Sequence, residues 1–276
     1  MPAICRADVE ALLRAKKLDR TLVPVTRGSG IAMAAETMPT GLTVLDQQLG
    51  GGLPLGHFSE VVGPRSSGRT SLLMAMLAAT TARGELAALV DTFDMFDVES
   101  MAAAGVRLDR LLWVRGETST AAFPPLTAGR RQPGADRAIE RALKATNLVL
   151  QAGGMSLVAL DLADAPIHAL RRIPMTTWLR LQKVLESQQA AAIVTGTMPM
   201  SRSAGVVTLA LVRAGARDKG HGAWGSGDKR DSGFGSRESG GERLFPGIDS
   251  EVRIQRARLV PGMGAPVRLT AAALVA

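Results

Sequence analysis

Residues 63–70 read Gly63-Pro64-Arg65-Ser66-Ser67-Gly68-Arg69-Thr70. The spacing is that of a phosphate-binding loop, G-x-x-x-x-G-K-[ST]. Gly63, Gly68 and Thr70 satisfy it, and Arg69 stands where the lysine belongs. The chemistry is anion capture. Backbone N–H groups of a glycine-rich turn and of the helix that follows form a concave cradle for phosphate oxygens. Glycine lets the backbone approach the anion with no Cβ in the way. The usual lysine reaches the outer phosphates as a compact charge, and the Ser/Thr hydroxyl binds Mg²⁺. Arginine keeps the charge but is planar, bulkier and permanently protonated. Two placements are open to it: a bidentate clamp on phosphate, or an outward fold that pairs it with a carboxylate. The candidate phosphate-binding residues are Gly63, Pro64, Ser66, Ser67, Gly68, Arg69, Thr70 and Ser71, with Thr70 also a candidate metal ligand.

Such a loop works only between a strand and a helix, and the flanking sequence supplies both. Phe58–Val62 reads as a strand, and residues 70–83 as an apolar helix stopped by Gly84. Strands are expected at Ala87–Asp91, 111–114, 157–160 and 190–195. Helices are expected at 43–49, 97–104, 136–151 and 176–187, and a loop at 121–134. This alternation implies an α/β domain, a mostly parallel sheet flanked by helices. Further strands at 208–213, 251–260 and Val267–Leu269, the last two joined by a turn at 261–264, extend the sheet in antiparallel fashion. Asp161 ends one of the apolar strands, where a carboxylate would hold Mg²⁺ through water; it is the second candidate metal residue, or else caps the turn that follows.

Domain organisation follows composition. Residues 1–22 contain a short amphipathic helix with Val9, Leu12, Leu13 and Leu18 near helical spacing. Residues 23–39 read as a linker and 40–276 as the core domain. Within the core, the Gly-, Ser- and charge-rich insert at 214–243 lacks the apolar residues that would offset ordering entropy, so disorder is expected there.

The chain has 276 residues, 46% of them hydrophobic, and a single cysteine, Cys5, which excludes a disulfide framework or a Cys-rich metal site. His57, His168 and His221 show no metal spacing. No apolar run is long enough to span a membrane. The N-terminus carries Asp8 and Glu10 with no apolar leader, so a cytoplasmic protein is expected. The net charge of +8 points either to an acidic partner such as nucleic acid or to an arginine-rich solvated surface. An aromatic content of 3%, with no tyrosine, argues against a base-stacking platform.

The chain resembles the RecA recombinase family, and most closely its small ImuA-type branch. The similarity begins at Thr40-Gly41-Leu42-Thr43-Val44-Leu45-Asp46, continues through Leu49-Gly50-Gly51-Gly52-Leu53-Pro54-Leu55-Gly56, and runs into the loop at Gly63. Val90-Asp91, Asp97, Gly105-Val106 and Leu111-Leu112 carry it further. The ImuA-type likeness adds residues 12–22 and Thr176-Thr177-Trp178-Leu179-Arg180-Leu181-Gln182.

The resemblance implies ATP and Mg²⁺ as cofactors, here held weakly or vestigially. It also implies protein partners: an ImuB-like inactive Y-family polymerase homologue and RecA, in SOS-type error-prone translesion synthesis, with DNA as a further partner. In the family a carboxylate two residues after the aspartate corresponding to Asp91 orients the attacking water, and here that position is Phe93. Asp94 or Asp97 could substitute only with a shifted backbone. The family's sensor glutamine is replaced in Thr195-Gly196-Thr197. The segments corresponding to the DNA-binding loops, after Asp161 and at 198–205 with Arg202, are short. Arg256 and Arg258 stand where the family places residues that reach a neighbour's nucleotide, or else lie on a solvent face. The leading expectation is an accessory adaptor without ATPase chemistry. The alternatives are an active DNA-stimulated ATPase and a basic DNA-binding accessory protein.

Overall fold

A computed structural model describes residues 36–116, 133–201, 205–213, 250–257 and 267–269. The expected N-terminal helix, most of the loop at 121–134, the turn at 261–264, Arg202, Arg258 and the insert fall outside the described residues. Of Arg256 only the backbone is described.

Strand β1 (Thr37–Met38) pairs antiparallel with β2 (Leu53–Pro54), and α1 (Thr43–Leu49) lies between them in the chain. The last residues of the expected linker thus take part in a sheet. The other strands are β3 (Phe58–Val62), β4 (Ala87–Asp91), β5 (Leu111–Arg115), β6 (Leu157–Asp161), β7 (Ala191–Gly196), β8 (Gly205–Arg213), β9 (Ser250–Ala257) and β10 (Val267–Leu269). They form one eight-stranded sheet in the order β10-β9-β8-β3-β7-β6-β4-β5. From β8 to β5 all neighbours are parallel, and β9 and β10 extend the sheet antiparallel. The α/β architecture expected from the alternation is the one observed.

The central strands β3, β4, β6 and β7 are buried along their whole lengths, as parallel strands covered on both faces must be. Side chains of successive strand residues point to opposite faces, and each face has its own helices. One face packs on α1, α2 (Arg69–Ala82) and α3 (Val98–Ala103) through Leu45, Leu49, Leu72, Leu73, Met76, Leu77 and Met101. The other packs on α4 (Pro133–Ala152), α5 (Ile167–Leu170) and α6 (Met175–Leu185) through Ile139, Leu150, Leu170, Trp178 and Leu181. The four core side chains Leu72, Leu73, Met76 and Leu77 of α2 are fully buried, each stabilising by about 1.5–3 kcal/mol. That anchoring fixes the helix whose first turn completes the loop.

Element boundaries either coincide with the expected ones or move by up to three residues. Strand β8 starts at Gly205 rather than 208, and α4 starts at Pro133, which takes Pro133 and Gly134 out of the expected loop. Proline suits a first helical turn, because its missing N–H would have had no partner there. Asp97 is not helical but caps α3.

Candidate functional site

The loop leaves β3 at the carboxyl end of the sheet. Gly63 N–H donates to the Gly196 carbonyl at 3.2 Å, tying the loop to β7. A Cβ on Gly63 would stand 2.5 Å from Ser67 Oγ and 2.6 Å from the Leu211 carbonyl oxygen, so only glycine fits. Pro64, Arg65 and Ser66 form an exposed crest, and Ser67 is buried beneath it. Ser66 (φ 57°) and Gly68 (φ 89°) are both left-handed. Such a backbone turns N–H groups toward a common anion position, and a non-glycine residue there is rare enough to point to function. Helix α2 starts at Arg69 with no side-chain cap and no acidic residue in its first turn. Its first N–H groups and positive dipole end are therefore open to an anion. Thr70 is exposed and Ser71 half-buried at this end. The loop backbone and the helix start have the chemistry that suits a phosphate anion.

Arg69 does not fold outward. It is 6% exposed, and its Nη1 donates to the Ala163 carbonyl at 3.3 Å, just beyond β6. Burial lowers the guanidinium's pKa, while Asp161 and Asp164 raise it and Arg65 lowers it. Arg65 pairs with Asp164 at 3.4 Å. Two arginines thus strap the loop to the segment after β6. A buried guanidinium needs hydrogen bonds and nearby opposite charge; the Ala163 carbonyl supplies the first, and the Asp161 and Asp164 charges offset part of the burial cost.

Asp161 lies at the floor, opposite Thr195 in the β6–β7 register. Its Oδ1 accepts from the Thr195 hydroxyl and, at 3.2 Å, from Ala163 N–H. It therefore caps the turn, and Thr195, the first residue of the Thr195-Gly196-Thr197 stretch, is itself committed to this carboxylate. Burial pushes the Asp161 pKa up to about 6, against a usual 3.8. A carboxyl whose pKa is raised on folding stabilises fully below the unfolded value and loses that contribution as pH rises through the folded value. Stability is therefore expected to fall between about pH 4 and pH 6. Asp161→Asn should remove this slope and gain about 1–3 kcal/mol near pH 7. Urea unfolding at both pH values reads it, and identical slopes in parent and variant would contradict it.

The end of β4 is equally committed. Asp91 is fully buried, opposite Asp161 across β4 and β6, and accepts from Met95 N–H at 2.9 Å and Phe96 N–H at 3.0 Å. Phe93 packs in the apolar layer with Val90, Ile139 and Ala142. Neither substitute carboxylate is available. Asp94, left-handed at φ 56°, is held bidentately by Arg115 at 2.7 and 2.9 Å. Asp97 caps α3 through Ser100 N–H at 2.8 Å, and the Ser100 hydrogen bonds lower its pKa. No cluster of three or more His, Cys, Asp or Glu suited to a metal occurs among the described residues.

Two residues have roles that the sequence reading did not assign. Glu60, in the middle of β3, is 1% exposed and accepts from Met200 N–H at 2.6 Å, Ser201 N–H at 2.7 Å and the Thr208 hydroxyl at 3.2 Å. It organises the chain after β7. The signal was an acid inside an otherwise buried strand, which has to be hydrogen-bonded. Gln182 on α6 accepts from Phe58 N–H at 3.3 Å and donates to the Gly56 carbonyl at 2.9 Å, with His57 Nδ1 at 3.1 Å, so His57 belongs to a bonded cluster rather than to open surface.

Residues 17–125 match the family model of the RecA N-terminal domain. This segment is similar to the RecA N-terminal domain. The RecA-like stretch is 40% identical over 96 residues to Protein RecA of Crocosphaera subtropica, covering 35% of this chain and 28% of the relative. It is 41% identical over 96 residues to Protein RecA of Synechocystis, covering 35% and 27%. Against Protein RecA of Trichodesmium erythraeum it is 40% identical over 99 residues, covering 36% and 28%. The aligned part is less than a third of the length of these relatives. The parallel sheet, the loop after β3 and the antiparallel extension give the described residues a RecA-like α/β fold.

Proposed function

We propose that the chain is a RecA-like accessory protein of the DNA damage response, which joins protein partners in error-prone translesion synthesis and does not turn over ATP. The observation that carries this reading is the Arg69 guanidinium folded onto the Ala163 carbonyl, while Phe93 fills the apolar core where a water-orienting carboxylate is required. A phenyl ring can neither accept a proton nor align water. Loss of preorganised charge at a reacting phosphate costs orders of magnitude in rate. The phosphate cradle persists, which supports weak binding of ATP with Mg²⁺ near Thr70 and Asp161, without hydrolysis. The ImuA-type sequence likeness supports an ImuB-like polymerase homologue and RecA as partners.

Phosphate release from ATP, measured with Mg²⁺ and single-stranded DNA, is expected to stay at the background rate in the parent and in Thr70→Ala alike. Turnover that depends on magnesium and disappears in Thr70→Ala would replace the adaptor reading with an ATPase. The polymerase homologue and RecA are expected to co-purify with the tagged full chain from damaged cells. Recovery of neither partner would remove the adaptor assignment.

A further inference from the structure

A cavity with a basic rim lies away from the phosphate loop. It is about 330 Å³ in volume, at the carboxyl ends of β4 and β5 beneath the first turns of α4. None of its lining residues belongs to residues 63–70. In the sheet, β6 and β7 separate β4 from β3, so at about 4.8 Å per strand spacing the two strand ends are roughly 14 Å apart.

The chemistry of the walls is divided. Val90, Phe93 and Val114 form an apolar floor, and three exposed guanidiniums, Arg115, Arg137 and Arg141, form the rim. Arg137 makes no ion pair or hydrogen bond among the described residues. The acidic neighbours on α4 are engaged elsewhere: Asp136 with Arg172 at 2.8 Å and Glu140 with Lys144 at 2.8 Å. Asp91 also lines the cavity, but both its oxygens are occupied by Met95 and Phe96 N–H groups. Arg115 is held in place by Asp94 and by the Trp113 ring, 4.6 Å below it. The positive end of the α4 dipole adds to the rim.

The second observation is independent of charge. Thr92 lines the cavity and is 1% exposed, yet its hydroxyl has no hydrogen-bond partner among the described residues. Buried polar groups are nearly always satisfied, and a ligand oxygen in the cavity would satisfy this one. Guanidinium forks match the oxygens of phosphate. The apolar floor suits an organic body attached to the anion, and the volume is at the low end of the range for small-ligand pockets.

The geometry points to a binding site for a phosphate ester, held by Arg137 at the rim and by the Thr92 hydroxyl beneath it. Its source is a free mononucleotide or the backbone of a single strand, and the two are separated by probe. Calorimetric titration of the full chain with thymidine 5′-monophosphate and with a short oligothymidylate is the test. Binding of the monophosphate alone identifies a monoester ligand, and binding of both identifies a backbone. In either case Arg137→Ala, at an exposed position that leaves the fold intact, is expected to weaken binding about tenfold. Arg137→Lys should weaken it less, and Thr92→Val should weaken it with Arg137 in place. Thr70→Ala should leave this affinity unchanged. Absence of binding by both probes overturns the site. So do parental affinity in both Arg137→Ala and Thr92→Val, and a loss confined to Thr70→Ala. None of these results bears on whether the protein recovers its polymerase or RecA partners.

Discussion

Glu60→Ala is expected to lower the unfolding free energy by about 3–5 kcal/mol, with a reduced urea midpoint at unchanged slope. The magnitude follows from what alanine leaves behind. Met200 N–H and Ser201 N–H both point at one carboxylate oxygen, and the Thr208 hydroxyl at the other. A buried donor stripped of its acceptor forfeits about 1–3 kcal/mol, and here two amides and a hydroxyl are orphaned together. Glu60→Gln retains the shape and one acceptor oxygen, so it should cost about 1–2 kcal/mol. If alanine cost less than the amide, the carboxylate would not be the anchor of the chain after β7. The functional consequence is local. Glu60 lies on the strand that delivers Gly63; Met200 and Ser201 lie on the segment joining β7 to β8, and Thr208 lies on β8 itself. One side chain therefore sets the phosphate loop and that neighbouring segment in register with each other.

The parts of this molecule that follow a local rule were legible in the sequence. The strand, loop and helix around Gly63 could be read because glycine spacing, apolar runs and a helix stop each act within a few residues. The parallel core was legible because buried strands such as Ala87–Asp91 are apolar on both faces. What could not be read depends on residues distant in the chain. Arg69 finds its acceptor 94 positions away at Ala163, and Gln182 reaches 126 positions back to Gly56. No periodicity encodes those distances. Asp94 illustrates a different limit. It was visible as a spare carboxylate, but its capture by Arg115 depends on β5 lying beside β4. The site's acids are conspicuous in the sequence, and their availability is decided by tertiary pairing.

Trp178→Ala is expected to be about as costly, near 3–5 kcal/mol, because it empties a large volume that rigid neighbours cannot refill. Trp178 is 1% exposed, and its ring meets Phe58 edge to face at 6.1 Å and 82°. One turn further along α6, Gln182 bonds to the backbone at Gly56 and Phe58. Residues four apart share a helix face, so the Trp178 and Gln182 pair grips the first residue of β3 from its side chain and its backbone at once. This gives the Thr176-to-Gln182 stretch a physical role: it buttresses the strand that carries the phosphate loop. Trp178→Phe keeps an aromatic edge on Phe58 and should recover most of the loss, leaving about 1–2 kcal/mol. Because both residues act on the same strand end, Trp178→Ala and Gln182→Ala should not add. A double-mutant cycle is expected to show coupling of about 0.5–2 kcal/mol. Strict additivity would mean that the helix holds the sheet at two unrelated points, and the buttress would then be no more than ordinary core.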